Sequence, residues 1–284
     1  SAVNLPTSVA VKDPASGLYN RVFYGLNIAN PVENMKNGKD NSNQETRLIA
    51  SGNMLFTLLP ELNFKSSFTL DRRNGLERGF TPPVHAADRD DWGEAWDNRN
   101  MNTVLTFDNV ATFTKSLDKH GIEVMGGASW TDSDYTNSYI SGTHFLSSDI
   151  HTLNAANKIS WTGTGTGASE WGIMSYFGRA AYNFDSKYLF SANVRMDGSS
   201  KLHPDHRWGT FPSFSAAWRI SSEEFMSDFD WLDDLKLRGG WGQTGNQSGI
   251  GDYAYLQRYN ISRRPWFEEN QENALPIITQ ANLR

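Results

Sequence analysis

The sequence predicts an all-β protein made of antiparallel transmembrane β-barrel strands, with short periplasmic turns and long extracellular loops. Three observations predict it. A hydrophobic period of two runs through unusually long segments, helical periodicity is nearly absent, and the connections alternate between short and long.

The strands follow in order. Leu48, Ala50, Gly52, Met54, Phe56 and Leu58 share one side of a first segment. Pro60-Glu61 then reverses the chain. In the next segment Leu62, Phe64, Phe68 and Leu70 oppose Asn63, Lys65, Ser67 and Thr69. Leu105, Phe107, Ala111 and Phe113 oppose Thr106, Asp108, Thr112 and Thr114, and Ile122, Val124, Gly126, Ala128 and Trp130 oppose Glu123, Gly127, Ser129 and Thr131. Met174, Tyr176, Gly178, Ala180, Tyr182 and Phe184 form one face against Ser175, Arg179 and Asn183. Tyr188, Phe190, Ala192, Val194 and Met196 oppose Ser191, Asn193, Arg195 and Asp197. Phe214, Ala216, Trp218 and Ile220 follow, and then Leu235, Leu237, Gly239 and Trp241 against Lys236 and Arg238. Such runs pass the common strand length of about 5–6 residues and approach the ~9–11 that cross a bilayer. Ser221 to Asp234 alone suggests a short helix, opened by Ser222-Glu223-Glu224.

Short turns are expected at Leu59–Glu61, Leu117–Gly121 and Asp185–Lys187, and long polar connections at Arg73–Met101, Thr136–Glu170 and Gly198–Arg207. That alternation fits an outer-membrane barrel better than a sandwich, whose turns recur every ~8–12 residues. About ten strands are expected, and both ends read as cut from a longer polypeptide, residues 1–284 forming part of one barrel domain.

Composition excludes some classes. The 284 residues contain no cysteine, which rules out disulfides and thiolate metal sites. A net charge of −6 argues against a nucleic-acid partner. Aromatic residues make up 13 %, which suits membrane girdles or sugar stacking. No apolar run reaches the ~18 residues of a transmembrane helix. The mean hydropathy of −0.56 decides nothing, because only alternate barrel residues meet lipid.

One stretch carries a resemblance. It runs from Tyr188-Leu189-Phe190 through Asp197-Gly198-Ser199-Ser200, then Arg207-Trp208-Gly209-Thr210-Phe211-Pro212. Leu235-Lys236-Leu237-Arg238, Gly242-Gln243-Thr244-Gly245-Asn246-Gln247 and Ile250-Gly251-Asp252-Tyr253 complete it. In this it resembles the SusC/RagA family of TonB-dependent outer-membrane transporters. The resemblance implies a barrel of about 22 strands filled by a plug, a SusD-like surface lipoprotein at the extracellular mouth, and TonB acting from the periplasm. It further implies import of glycan oligosaccharides or peptides by the SusC-type member of a SusCD pair, outer-membrane lipid around the barrel, no enzyme activity and no cofactor. The plug, the segment that contacts TonB and the terminal strands are absent from this sequence. Most of the motif reads as structural: Asp197-Gly198-Ser199-Ser200 as an extracellular turn with glycine at positive φ, Trp208, Trp218 and Trp241 as interface anchors, and Gly239, Gly240 and Gly242 as points of curvature.

Among chemical candidates, Asp88, Asp90, Asp91, Trp92, Glu94 and Trp96 form an acidic, aromatic cluster in the first long connection. Trp92, Trp96 and Asp90 are its substrate-binding candidates, by ring stacking and hydrogen bonding. The cluster fails the EF-hand pattern, because Trp92 and Arg99 stand at ligand positions. His203, Asp205 and His206 lack a distant third ligand, so a polar turn is expected there and no metal site is assigned. Gly163, Gly165 and Ala168 mimic a dinucleotide fingerprint without a following helix, and Asn246-Gln247-Ser248 and Asn260-Ile261-Ser262 are sequons outside any glycosylating compartment. No pair of carboxylates stands out as a hydrolase would require.

Three readings remain open on these residues: a transporter barrel, a soluble all-β carbohydrate-binding or glycoside-hydrolase module, and a ligand-free scaffold or assembly subunit. The first places Leu62, Phe64, Phe68, Tyr176, Tyr182, Phe190 and Val194 against lipid. The second buries them in a sandwich core.

Overall fold

The computed structural model describes residues 10–20, 22–23, 26–27, 30–37, 40–86, 89–160, 164–227, 231–256, 259–263 and 276–280. A two-residue pair, β1 (Val22–Phe23) with β2 (Leu26–Asn27), precedes helix α1 (Pro31–Asn37). The long strands are β3 (Ser42–Leu59) and β4 (Leu62–Thr81), then, after a small hairpin of β5 (Val84–Ala86) and β6 (Arg89–Asp91), β7 (Glu94–Leu117) and β8 (His120–Phe145). β9 (Ala156–Ile159) pairs with β8, and β10 (Gly165–Phe184), β11 (Tyr188–Ser199), β12 (Trp208–Arg219) and β13 (Lys236–Gly242) follow. β14 (Tyr259–Arg263) and β15 (Pro276–Gln280) form a separate pair. The long strands make one sheet in the order β3-β4-β7-β8-β10-β11-β12-β13, with antiparallel registers among the last four.

The turns fall at the expected places. Pro60-Glu61 joins β3 to β4, and Asp118-Lys119 joins β7 to β8. Asp185 and Ser186 both take positive φ, 53° and 56°, within the three-residue connection Asp185–Lys187 that joins β10 to β11.

Two long connections are shorter than expected. β4 continues to Thr81 and β7 begins at Glu94, so most of Arg73–Met101 is strand. Likewise β8 reaches Phe145 and β10 starts at Gly165, within the stretch Thr136–Glu170. These strand portions carry polar residues on both faces, so hydrophobic alternation does not mark them. The expected helix over Ser221–Asp234 is instead two 3-10 turns, Ile220–Ser222 and Glu224–Met226, and residues 228–230 lie outside the described residues.

Helix α1 was not expected, although its start is written in the sequence. Asn30 caps it, its Oδ1 accepting from Val32 N at 3.0 Å and Glu33 N at 3.4 Å, and Pro31 opens the first turn.

The described residues divide into two compact units. The first comprises Ser1–Ile49, Asp71–Thr103 and Asp134–Ser169; the second comprises Ala50–Leu70, Val104–Ser133 and Glu170–Arg284. The first has a small conventional core. Phe80, Ala95 and Phe145 are buried, with Leu153, Ala155 and Ala156 packed against them. The Phe80 and Phe145 rings meet edge to face at 5.2 Å, and His151 stacks on Phe80 at 4.2 Å. The second unit contains none of the buried hydrophobic residues among those described, and many of its large apolar side chains stand exposed along the sheet.

Candidate functional site

The second unit derives its character from register. Along β10, Tyr176, Gly178, Ala180, Tyr182 and Phe184 pair with Met196, Val194, Ala192, Phe190 and Tyr188 of β11. Those β11 residues pair onward with Thr210, Pro212, Phe214, Ala216 and Trp218 of β12, and Trp218, Ala216 and Phe214 pair with Leu237, Gly239 and Trp241 of β13. Side chains alternate across a strand, so all of these occupy one face. The face is apolar from rung to rung yet open, with Phe190 52 % exposed and Phe214 55 %. In water this would be an aggregation surface; in a bilayer it is the outside of a wall.

Rings border that face at both ends. At one end Trp208 stacks on Tyr176 at 5.8 Å; at the other Tyr188 stacks on Phe184 at 6.4 Å. There Glu223 collects three donors: Tyr188 Oη at 2.7 Å, Trp218 Nε1 at 2.9 Å and Lys187 Nζ at 3.4 Å. These donors, Trp218 and Tyr188 foremost, hold the Glu223 carboxyl below its ordinary pKa. His120 Nδ1 lies 2.7 Å from Tyr182 Oη in the same border. Trp208 and Trp218 are ten positions apart on β12 (218 − 208), roughly 33 Å along a strand. With the usual barrel tilt that is close to the ~25 Å of an outer-membrane apolar band.

The opposite face is polar. Arg179, Asn193 and Ser213 share one rung, Ser191, Ser215 and Gly240 the next, and Ala217 and Arg238 the one after. Ser191 and Ser215 hydroxyls are 2.7 Å apart, and Asn193 Nδ2 donates to Ser213 Oγ at 3.2 Å. Arg195 donates to Asp197 at 2.7 Å and to the buried Ser175 hydroxyl at 2.8 Å, its guanidinium 5.7 Å from the Phe177 ring.

The motif Asp197-Gly198-Ser199-Ser200 is not a glycine-dependent turn. Gly198 is inside β11, outside the positive-φ region, and paired with Trp208. A Cβ there would stand 2.9 Å from the Trp208 indole, so glycine is needed to seat the ring rather than to bend the chain. Phe211 has the same requirement of Gly209 and Gly245, whose added Cβ atoms would meet its ring at 2.8 and 2.5 Å. The rest of the motif ties residues 243–253 to the strands. Gln243 N donates to Pro212 O at 3.0 Å, Ser199 Oγ donates to Gln247 Oε1 at 2.6 Å, and Lys201 Nζ reaches Asp252 at 2.8 Å. Ser200 Oγ accepts from Gly172 N at 2.8 Å, Arg207 Nε donates to Leu202 O at 3.3 Å, and Asn246 Oδ1 accepts from Ser248 N at 2.9 Å.

The stacking candidates do not share a recess. Trp96 lines a cavity of about 410 Å3 in the first unit with Asp40, Arg78, Gly79, Asp97 and His151. Trp92 lies outside that cavity, its indole stacked on His144 at 4.6 Å. Asp90 belongs to β6, opposite His85, and its side chain and Asp88 lie outside the described residues. His203 Nδ1 is 3.5 Å from Asp205, with the His206 ring 6.4 Å away. Among the described residues no group of three or more His, Cys, Asp or Glu side chains converges as a metal site. Gly165 and Ala168 are strand residues at the start of β10, while Gly163 and the Asn260 side chain lie outside the described residues.

An apolar face rimmed by aromatic rings and backed by a polar face defines the class: this is wall of an outer-membrane β-barrel. Within that class the chain resembles TonB-dependent receptors of the SusC/RagA kind. It is 30 % identical over 256 residues to the TonB-dependent receptor SusC of Bacteroides thetaiotaomicron, covering 88 % of this chain and 25 % of that receptor. It is 31 % identical over 228 residues to the TonB-dependent receptor P39 of Formosa agariphila, covering 79 % of this chain and 21 % of that protein. The chain therefore spans about a quarter of the length of the curated relatives it matches. Among solved structures it superposes on the RagAB peptide transporter with a TM-score of 0.78 at 22 % identity, covering 94 % of this chain and 29 % of that one, a likeness of fold. The RagAB peptide importer in its open-open state gives a TM-score of 0.76 at 22 % identity, covering 93 % and 28 %. No family model matches the chain.

Proposed function

We propose that this chain forms part of the barrel wall through which a SusC-type transporter imports large nutrients, glycan oligosaccharides or peptides, across the outer membrane. A SusD-like lipoprotein at the extracellular mouth and TonB in the periplasm complete the working assembly. The observation that carries the reading is the two-faced register of β10–β13, in which an apolar face is backed by a mainly polar one. A polar inner face gives a hydrated cargo continuous hydrogen-bonding partners on its way through the wall. Trp92 and Trp96 are proposed as extracellular stacking contacts for that cargo, with Asp90 as a polar contact.

Uptake of fluorescent oligosaccharides and peptides by cells carrying the full-length protein, with and without TonB, tests this. Uptake that requires both the protein and TonB is expected. Accumulation that is indifferent to TonB would show a passive pore or a scaffold instead.

A further inference from the structure

Beyond Leu70, β4 keeps its alternation and changes its chemistry. The even positions of this single strand share one side: Leu62, Phe64, Phe68 and Leu70 first, then Arg72, Asn74, Leu76 and Arg78. The strand leaves the short turn at Pro60-Glu61, the periplasmic end. Arg72 stands ten positions past Leu62 and Arg78 sixteen, roughly 33 and 53 Å along a strand. At the usual barrel tilt of roughly 35–45° those become heights of about 25 and 40 Å, against an apolar band of ~25 Å. The two arginines therefore stand at the outer border of that band and above it. They lie on the side that faces out of the barrel, away from anything held in its lumen.

In the first unit this side of β4 opens onto a recess of about 700 Å3. Arg78 and Arg99 line it with Asn74, Thr136, Ser138 and Thr166, and none of the described residues in its lining is a carboxylate. Its floor is backbone at Gly75 and Gly167, where an added Cβ would run into Asn100 and Asn137 side chains on the opposite face. Asp97 holds the two guanidiniums together, with Arg99 Nε at 2.8 Å from one carboxylate oxygen and Arg78 Nε at 2.9 Å from the other. One carboxylate shared by two arginines fixes both and leaves a net positive charge. Arg72 brings a third guanidinium to the edge, its Nη2 2.9 Å from Sδ of Met101 in the recess wall.

We infer that this recess binds the phosphorylated sugar headgroup of a glycolipid in the outer leaflet. Guanidinium forks match phosphate oxygens in geometry and charge. Amide and hydroxyl side chains supply donors and acceptors for sugar hydroxyls, and Leu76 and Met101 offer apolar surface to a ring face. Continuity with the apolar side of the same strand selects a lipid over a soluble anion. Acyl chains lying against Phe64 and Phe68 deliver their headgroup at the height of Arg72 and Arg78. The inference goes beyond transport and rests only on the outer-membrane barrel reading.

The test uses the full-length protein in detergent micelles, with fluorescent lipopolysaccharide, the same lipopolysaccharide chemically dephosphorylated, and inorganic phosphate. Anisotropy is read for wild type and for the double variant Arg78→Gln, Arg99→Gln. Wild type is expected to bind the phosphorylated form about tenfold more tightly than the dephosphorylated one, an advantage lost in the double variant. Ser138→Glu, which sets a carboxylate in the recess and leaves the Asp97 group whole, should lose the same advantage and decides the matter if the double variant fails to assemble. Equal affinity for the two forms, or an advantage that survives these substitutions, overturns the inference. Full displacement of the lipopolysaccharide by millimolar inorganic phosphate does so too, by showing a site for a small oxyanion. So does light scattering in which wild type self-associates and the double variant does not, which would make this face a contact between copies. Heat-modifiable migration reports barrel assembly and TonB-dependent uptake reports transport, so failure of this site is distinct from failure of the transporter reading.

Discussion

The two compact units handle apolar surface in opposite ways. In the first, Phe145 is fully buried and Phe80 nearly so, packed edge to face as in a soluble protein. In the second, Phe190, Phe214 and Trp241 are each more than half exposed, in a continuous face. One chain thus treats apolar side chains in two ways, burial in a small core and display along one face of a sheet. The difference teaches that exposure alone says little; what matters is whether exposed apolar residues share a face and what rims it.

The largest effect expected from breaking that contrast is at Phe145. Replacing it with Ala removes a fully buried ring and should cost about 3–5 kcal/mol of local stability. Limited proteolysis of the full-length protein should show new cleavage between residues 146 and 155, where Leu153 and Ala155 lose their partner. Unchanged protection would mean that this cluster does not hold the segment.

A smaller effect is expected at Gly245, where the second unit uses glycine to seat a ring. Gly245→Val drives side-chain atoms into Phe211 and should cost about 1–3 kcal/mol by overpacking. Phe211→Ala in the same background should recover part of that loss by giving the valine space. Thermal unfolding of the two variants checks this, and a lack of rescue would locate the strain elsewhere.

The smallest effect is a pH dependence at Glu223. Its folded pKa lies below the ordinary carboxylate value because Trp218, Tyr188 and Lys187 donate to the charged form. A depressed folded pKa contributes stability that is complete above the unfolded pKa and lost as pH falls through the folded one. Wild type should therefore loosen at this rim on acidification below the ordinary carboxylate range. Glu223→Gln should be less stable at neutral pH and insensitive to the same change. Trp218 fluorescence in a background lacking nearby tryptophans reads both; parallel titrations of the two proteins would remove Glu223 from the account.

How much of this was legible in the sequence varied by region for physical reasons. The rungs of β10–β13 were readable because an apolar face and a mainly polar face alternate with a period of two. The outer ends of β4, β7 and β8 were not, because both faces there carry polar residues and the period vanishes, as in Asp71 to Arg78. Helix α1 left a readable signal in Asn30-Pro31 that hydrophobic periodicity over seven residues is too short to amplify. Gly198 pointed to the right residue for the wrong reason, since a glycine in a turn and a glycine beneath an indole look alike in one dimension. Among the candidate binding residues, the separation of Trp92 from the recess of Trp96 depends on tertiary pairing that sequence does not carry.

The central claim is that one face of β10–β13 meets lipid and the other meets water. The most direct test is single arginine substitutions in the full-length protein at Tyr182 and Phe190 and at their sequence neighbours Asn183 and Ser191, scored by heat-modifiable assembly in outer-membrane fractions. Arginine on the outer face should cost ~2–4 kcal/mol at mid-bilayer and less toward the border where Tyr182 stands, while on the inner face it should be tolerated. Loss of assembly at Tyr182 and Phe190 alone is the predicted result. Equal sensitivity at all four positions, or tolerance at all four, would contradict it.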